Sequence, residues 1–188
     1  MRRSGFVLAG GASSRMGRDK ALLAYSDSTL VEYVAQAVRQ AVGSVALIGD
    51  PDRYAAMGHP VYRDEVPGCG PLGGVYTAVR VSRADWNMVV ACDMPGISAA
   101  ALGGLLDPEA RPESNCIMAV GPGGEPEPLC ALYHWRSLPA LDRAIRDKRF
   151  KMRDLVSELA VELRPLEAAV LANVNTPGEW AEFNENGR

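Results

Sequence analysis

Hydrophobic positions along the chain fall into short continuous runs, separated by stretches in which apolar residues recur every three or four positions. The continuous runs are typical of strands buried on both faces, and they lie at 6–9, 45–48, 87–92 and 116–120. The clearest periodic stretch begins at Thr29, which forms a capping-box pattern with Glu32, and ends at Gly43. Alternating strands and helices predict an α/β fold with a doubly wound, mostly parallel sheet.

Weaker patterns extend this series of elements. Further strands are expected at 61–63, 129–133 and 161–163, and further helices ending near 81 and covering 138–145, 153–159 and 177–183. The sequence contains no internal repeat and no linker long enough to separate two domains. We therefore expect the 188 residues to form a single domain, which is large enough to bury a continuous core.

A glycine-rich segment with basic residues follows the first predicted strand. Gly10, Gly11 and Gly17 let the backbone turn sharply and approach a ligand closely. Backbone N–H groups exposed at such a turn bind anions, and Arg15 and Lys20 add full positive charges. The segment predicts a triphosphate-binding loop. The alternative interpretation is a glycine-rich turn with a solvated basic edge.

The spacing of this segment excludes the two commonest phosphate-binding loops. The adjacent residues Gly10 and Gly11 do not fit the dinucleotide pattern G-x-G-x-x-G. The pattern G-x-x-x-x-G-K-[ST] also fails, because Lys20 lies three residues after Gly17 and is followed by Ala21. Any triphosphate site here must be of a different type.

Two aspartates stand where predicted strands end. Asp93 follows the strand at 87–92, and Asp64 follows the strand at 61–63. In doubly wound sheets ligands bind beyond the carboxyl ends of the strands, so both carboxylates are expected near the glycine-rich segment. Asp93 can hold Mg²⁺ together with substrate phosphates, or it can cap the helix that follows. Asp64 can equally be a turn residue.

Four motifs in order along the chain carry a family resemblance. The pattern L-A-G-G-x-S-x-R-M-G-x-D-K, from Leu8 to Lys20, resembles the nucleotidyltransferase signature and looks most like that of the molybdenum cofactor guanylyltransferases. The three others are Gly70-Pro71-Leu72-Gly73-Gly74, Cys92-Asp93-Met94-Pro95 and Asn173-Val174-Asn175-Thr176-Pro177. The resemblance implies a Rossmann-like fold and the transfer of GMP from GTP to the phosphate of molybdopterin. Pyrophosphate would leave, and the guanine dinucleotide form of the cofactor would be produced.

The resemblance also implies roles for individual residues. Contacts with the nucleotide are implied for Leu8, Ala9, Gly10, Gly11, Lys20, Asp64 and Asp93. Asp93 is implied as the ligand of a Mg²⁺ cofactor, and Asn173 and Asn175 as residues that face the active site. The sequence alone favours helix capping for at least one of these asparagines. The expected catalytic residues are Lys20 and Arg15, which would neutralise the departing pyrophosphate, together with Asp93.

The two halves of the chain are expected to divide the binding of the substrates. Residues 1–100 would bind mainly the nucleotide and residues 101–188 mainly the acceptor. In the second half, Glu127-Pro128-Leu129 resembles the family's acceptor-side loop. The basic stretch 146–153 is typical of a solvated helix connection; the alternative is that a residue such as Arg149 receives the acceptor phosphate.

Composition narrows the remaining classes of function. Hydrophobic residues make up 47% and charged residues 23%, which is ordinary for a globular protein. The net charge of −3 argues against broad nucleic-acid binding. No apolar run is long enough for a signal peptide or a membrane span, so a cytoplasmic protein without membrane or nucleic-acid partners is expected. The four cysteines show no metal-ligand spacing, and Cys92, Cys116 and Cys130 are expected to be reduced and buried.

Two rival functions remain open. The first is a related nucleotidyltransferase that uses CTP or a sugar phosphate, although the spelling Leu8-Ala9-Gly10-Gly11 resembles the guanylyl branch. The second is a non-catalytic nucleotide-binding protein that delivers cofactor. The presence of both Lys20 and Asp93 argues against it, because a pure binder needs no leaving-group chemistry. Besides GTP and molybdopterin, the expected partners are molybdoenzymes or cofactor-delivery proteins.

Overall fold

The apolar runs of the sequence become the strands of one seven-stranded sheet in the computed structural model, and two further short strands form a separate antiparallel pair. The structure describes residues 1–9, 19–25, 27–106, 111–174, 176, 178–180 and 183. The strands are β1 (Arg3–Leu8), β2 (Ala24–Tyr25), β3 (Ser28–Thr29), β4 (Ala46–Ile48), β5 (Val61–Tyr62), β6 (Trp86–Ala91), β7 (Cys116–Val120), β8 (Pro126–His134) and β9 (Val161–Pro165).

The order of the strands in the sheet is β5-β4-β1-β6-β8-β7-β9. β1 pairs in parallel with both β4 and β6, and the pairs β4–β5 and β7–β9 are also parallel. β8 runs antiparallel to its neighbours β6 and β7. The predicted α/β class with a mostly parallel sheet is therefore confirmed.

The helices pack on both faces of this sheet. They are α1 (Leu30–Val42), α2 (Pro51–Tyr54), α3 (Pro71–Val81), α4 (Ala99–Gly103), α5 (Leu138–Arg146), α6 (Met152–Val156) and α7 (Ala168–Leu171). Within the described parts of the chain, none has the length and apolarity needed to cross a membrane.

α1 forms as its sequence pattern predicts. The carboxylate of Glu32 accepts hydrogen bonds from the backbone N–H of Thr29 at 2.9 Å and from its hydroxyl at 2.7 Å. At the other end, Gly43 adopts the left-handed conformation with φ of 84°, which glycine reaches without steric cost. Leu30, Val34 and Val38 lie on one side of the helix and are completely buried against the sheet.

The apolar core consists of two layers separated by the sheet. α1 and α4 cover one face, and α3 and α5 cover the other. All six residues of β6 are buried, as expected of a central strand covered on both faces. This strand and its neighbour β1 form the rigid base from which the following loops emerge.

Some elements differ from the sequence-based expectation. The short helix α2 was not predicted; Asp50 caps it, with its carboxylate accepting from the Asp52 N–H at 3.2 Å. β8 begins at Pro126, earlier than expected, and α7 was not predicted. Of the terminal helix expected at 177–183, residues 178–180 and 183 are helical, and the others lie outside the described residues.

The four cysteines are free thiols. Cys116 and Cys130 are buried, as predicted, whereas Cys92 is partly exposed. Cys69 is buried although it lies in a loop rich in glycine and proline.

Candidate active site

The carboxyl ends of β1, β4 and β6 meet at one edge of the sheet. The Ala9 N–H donates to the carbonyl of Ile48 at 2.9 Å, and the Cys92 N–H donates to the carbonyl of Leu8 at 3.2 Å. These bonds continue the parallel ladders by one residue beyond the strands. Ala9 and the Cys92-Asp93 segment therefore leave the sheet side by side, as the geometry of parallel strands requires.

Lys20 and Asp93 lie close enough to interact electrostatically. Asp93 follows β6 and is partly buried, while Lys20 begins a single helical turn, Lys20–Leu22. Burial raises the pKa of the Asp93 carboxyl above its ordinary value, and the Lys20 ammonium partly offsets that rise. Two residues that are far apart in the sequence thus share one site.

The segment around Asn173 also reaches Asp93. The Val174 N–H donates to the backbone carbonyl of Asp93 at 2.9 Å, which places the exposed Asn173 beside the Asp93 loop. Helix capping in this motif falls to Thr176, whose hydroxyl accepts from the Glu179 N–H at 3.2 Å. Asn173 is therefore not required as a cap.

Asp64 lies against the first turn of α3. Its carboxylate accepts from the Val66 N–H at 2.9 Å and from the Thr77 hydroxyl at 3.2 Å. A Cβ atom at Gly73 would lie 2.7 Å from Oδ2 of Asp64, so the absence of a side chain permits this contact. Thr77, which sequence reasoning missed, is one helical turn after Gly73 and has no motif signal of its own.

The same glycine motif connects Asp64 with β1. A Cβ atom at Gly74 would lie 3.0 Å from the Cδ2 atom of Leu8. The start of α3 therefore packs directly on the end of β1. The two glycines bring Asp64 and Leu8 to neighbouring positions of the same sheet edge.

Glu127, on β8, adds a second carboxylate near Asp93. Burial raises the pKa of Glu127, and the Asp93 charge raises it further. Glu127 also lines a cavity of about 820 Å³. Other lining residues are Pro71, Gly121, Leu129, Phe150, Lys151 and Arg153. The cavity is lined mainly by elements from the second half of the chain, and Glu127 is the lining residue on which the Asp93 charge acts.

The basic residues of the stretch 146–153 differ in whether they form ion pairs. Arg149 pairs with Glu158 and Asp147, so its charge is neutralised by its own surroundings. Arg153 lies at the cavity and pairs with Glu125 at 2.7 Å. Lys151 also lines the cavity, and among the described residues it has no carboxylate at ion-pair distance. Lys151 is thus better placed than Arg149 to meet an anionic ligand.

The chemistry of Asp93 suits a hard divalent cation. The described residues contain no group of three or more His, Cys, Asp or Glu residues that could hold a metal by themselves. Mg²⁺ does not need such a group, because it is commonly bound by one or two carboxylates together with substrate phosphates. Asp93 and Glu127 are two carboxylates whose burial makes a nearby positive charge favourable.

Several expected site residues cannot be placed. Gly10, Gly11, Arg15 and Asn175 lie outside the described residues. The segment 10–18 is flanked by Ala9 and Asp19, both of which are described. The Asp19 carboxylate accepts hydrogen bonds from Arg53 and Tyr54, contacts that sequence reasoning missed although Asp19 immediately precedes Lys20 in the motif.

Comparisons with known proteins agree with this geometry. Residues 5–164 match the MobA-like NTP transferase domain. A probable molybdenum cofactor guanylyltransferase of Carboxydothermus hydrogenoformans is 31% identical, over 94% of this chain and 92% of the relative. A crystal structure of molybdopterin-guanine dinucleotide biosynthesis protein A from Archaeoglobus fulgidus superposes with a TM-score of 0.82 at 22% identity, covering 98% of both chains. A Mycobacterium tuberculosis protein crystallised as a manganese complex has a TM-score of 0.67 at 20% identity, covering 98% of this chain and 99% of that one.

The sheet, the polar residues at its carboxyl edge and the match over most of the chain define the class of the protein as a nucleotidyltransferase. The chain belongs to the MobA-like NTP transferase family, and within it to the molybdenum cofactor guanylyltransferases.

We predict that Gly73→Ala destabilises the protein, because the new methyl group meets the Asp64 carboxylate and, at 2.9 Å, the carbonyl of Val66. The expected loss in the free energy of unfolding is about 1–3 kcal/mol, measured by urea denaturation. Gly103→Ala is the matched control, because a Cβ at Gly103 meets nothing within 4 Å; its stability should be unchanged or slightly higher. Equal stabilities for the two variants would contradict the packing described for Asp64.

Proposed function

We propose that the protein transfers GMP from GTP to the phosphate of molybdopterin, releasing pyrophosphate and forming the guanine dinucleotide form of the cofactor. The observation that carries the proposal is the meeting of Lys20 and Asp93 at the carboxyl edge of the sheet. The names of the relatives supply the identity of the two substrates.

The nucleotide is proposed to bind along the edge formed by β1, α3 and the Lys20 turn. The backbone of Leu8 and Ala9, with Gly10 and Gly11 after them, would approach the nucleotide closely, and Asp64 would contact it from the start of α3. Lys20 and Arg15 would neutralise charge on the departing pyrophosphate. Positioning and charge neutralisation are the main sources of rate enhancement available to such a site.

Asp93 is proposed to hold a divalent cation, Mg²⁺ in our assignment, with Glu127 as a second carboxylate close to it. When bound, this ion supplies positive charge to the triphosphate oxygens. Burial raises the pKa of Asp93, which means that the negatively charged carboxylate is unfavourable in the folded protein when no cation is bound. A cation at this place would relieve that cost.

The acceptor is proposed to bind in the cavity lined by Glu127, Phe150 and Lys151. Lys151 would bind the acceptor phosphate, and Asn173 and Asn175 would face the reacting groups from the Asp93 side. A phosphate monoester is already anionic near neutral pH, so its oxygen can attack the α-phosphate without a dedicated general base. In this arrangement, residues 1–100 bind mainly the nucleotide and residues 101–188 bind mainly the acceptor.

We predict that Asp93→Asn lowers turnover by about a hundredfold or more. The measurement is pyrophosphate release on mixing the protein with GTP, Mg²⁺ and molybdopterin. Folding should be retained, because the raised pKa of Asp93 means that its charge opposes folding at neutral pH, and the substitution removes that charge.

Asp85→Asn is a matched control for this experiment. Asp85 lies just before β6, at the opposite end of the strand, where its carboxylate accepts from the Arg2 N–H at 2.7 Å. The control should turn over at the normal rate. Full activity in Asp93→Asn would refute the assignment of Asp93. Preference for CTP would support the rival cytidylyltransferase, and GTP binding without pyrophosphate release would support the rival delivery protein.

For the acceptor side, we predict that Lys151→Glu raises the KM for molybdopterin about tenfold, because a charged hydrogen bond is replaced by repulsion. The KM for GTP should change less than about twofold. Lys148→Glu makes the same change of charge three residues away, at a position that does not line the cavity, and should leave both constants unaltered. An unchanged KM for molybdopterin in Lys151→Glu would place the acceptor phosphate elsewhere.

A further inference from the structure

Tyr54 lies between the two ends of the segment 10–18. Its side chain is 2% exposed at the end of α2. The hydroxyl lies 2.5 Å from the carbonyl oxygen of Ala9 and 2.7 Å from Oδ2 of Asp19. Ala9 immediately precedes the segment and Asp19 immediately follows it. One buried hydroxyl group therefore contacts both flanks of the proposed triphosphate loop.

Asp19 connects the Tyr54 hydroxyl with the turn that carries Lys20. Its Oδ1 atom accepts from the Ala21 N–H at 3.1 Å and so caps the turn Lys20–Leu22. Its Oδ2 atom accepts from the Arg53 guanidinium at 2.7 Å, in addition to the Tyr54 hydroxyl. The Asp19 side chain is 13% exposed, which limits the screening of these interactions by water. The position of Lys20 therefore depends on the place of Asp19.

The Tyr54 hydroxyl carries one proton, which it shares between two acceptors, the Ala9 carbonyl and the Asp19 carboxylate. Burial, and then its hydrogen bond with Asp19, raise the pKa of Tyr54 well above its ordinary value, so the group keeps its proton at neutral pH. Without that hydroxyl, the Ala9 carbonyl and the Asp19 carboxylate would face each other as two acceptors. Leaving buried acceptors without a donor is costly, so loss of the hydroxyl would drive Ala9 and Asp19 apart.

The Tyr54 ring is itself held in place by its surroundings. A Cβ atom at Gly49 would lie 2.8 Å from the Cε2 atom of Tyr54, so the ring packs where Gly49 has no side chain. The first turn of α2 is fixed by Pro51 and by the Asp50 cap. Tyr54 is therefore attached to the sheet edge rather than to the loop it contacts.

We propose that Tyr54, assisted by Arg53, is a positioning residue that joins the two ends of segment 10–18 and thereby fixes Lys20 relative to Asp93. The role of Lys20 in this statement rests on the proposed function. Tyr54 touches no reacting atom in this account; it acts through Asp19 and through the turn that follows.

The direct test is Tyr54→Phe, which keeps the ring and removes the hydroxyl. We expect hydrogen exchange of the Ala21 amide to accelerate about tenfold, and the KM for GTP to rise about tenfold, as for the loss of one charge-assisted hydrogen bond. The KM for molybdopterin should change less than about twofold. Tyr76→Phe is the matched control, because Tyr76 is also buried and its hydroxyl contacts Arg80, outside the proposed site.

A second pair of variants tests the contribution of Arg53. Arg53→Gln should raise the KM for GTP about threefold, less than Tyr54→Phe does because the Arg53 side chain is 54% exposed. Arg63→Gln removes a neighbouring arginine that pairs with Asp50 and Asp52 instead of Asp19, and it should leave the KM for GTP unaltered. Equal effects of the two substitutions would refute the specific role of Arg53.

The two readouts separate this proposal from the proposed function. Unchanged exchange of the Ala21 amide in Tyr54→Phe overturns the proposal, whatever nucleotide the protein uses. Faster exchange with an unchanged KM for GTP also overturns it, because Lys20 would then not depend on Tyr54. If the unmodified protein does not use GTP, the proposed function fails, and with it the proposed role of Lys20. The exchange of the Ala21 amide still decides whether Tyr54 joins Ala9 to Asp19.

Discussion

The attraction between the half-buried carboxylate of Asp93 and the Lys20 ammonium is the interaction on which the rest of the site depends. The pKa of Asp93 is raised by burial and lowered in part by Lys20, so the carboxylate is placed where additional positive charge is favourable. The parallel pairing of β1 with β6 places the Asp93 segment beside the end of β1. Because both strands run in the same direction, Ala9 and the Cys92-Asp93 segment leave the sheet side by side, and the Lys20 charge acts on the Asp93 carboxyl.

The second half of the chain also contacts the Asp93 loop. Val174 donates to the backbone of Asp93, and Glu127 adds a second acidic group from the antiparallel strand β8. The cavity beside Glu127 carries Lys151 at its edge. In the proposed function, nucleotide and acceptor approach the Asp93 region from different sides, as transfer of a nucleotidyl group requires. Burial raises the pKa of Glu127, and the Asp93 charge adds to that rise.

Much of the fold could be predicted from the sequence because the relevant signals are local. The apolar run of β6 and the capping pattern at Thr29 identify their elements without knowledge of the surroundings. The helical nature of α2 was missed, since four residues provide too little periodicity to recognise.

In the candidate site, too, residues marked by a local sequence pattern could be predicted, whereas contacts between distant parts of the chain could not. Asp64 and Asp93 were recognised as residues at strand ends, and Asp93 also lies within a motif. The contact of Tyr54 with Asp19 could not be predicted, because it depends on which helix packs against the loop. The ion pair of Arg149 with Glu158 likewise arises from tertiary packing, and it explains why a run of basic residues contributes unequally to the cavity. Sequence patterns thus predict which residues end strands, whereas packing decides which neighbours they meet.

The most direct test of the central claim is a crystal structure of the protein with GTP and Mg²⁺ bound. The account predicts the triphosphate between Lys20 and Asp93, with the metal ion on the Asp93 carboxylate and the Lys20 ammonium on phosphate oxygens. A triphosphate bound elsewhere, with Lys20 and Asp93 both away from the nucleotide and the metal, would contradict it.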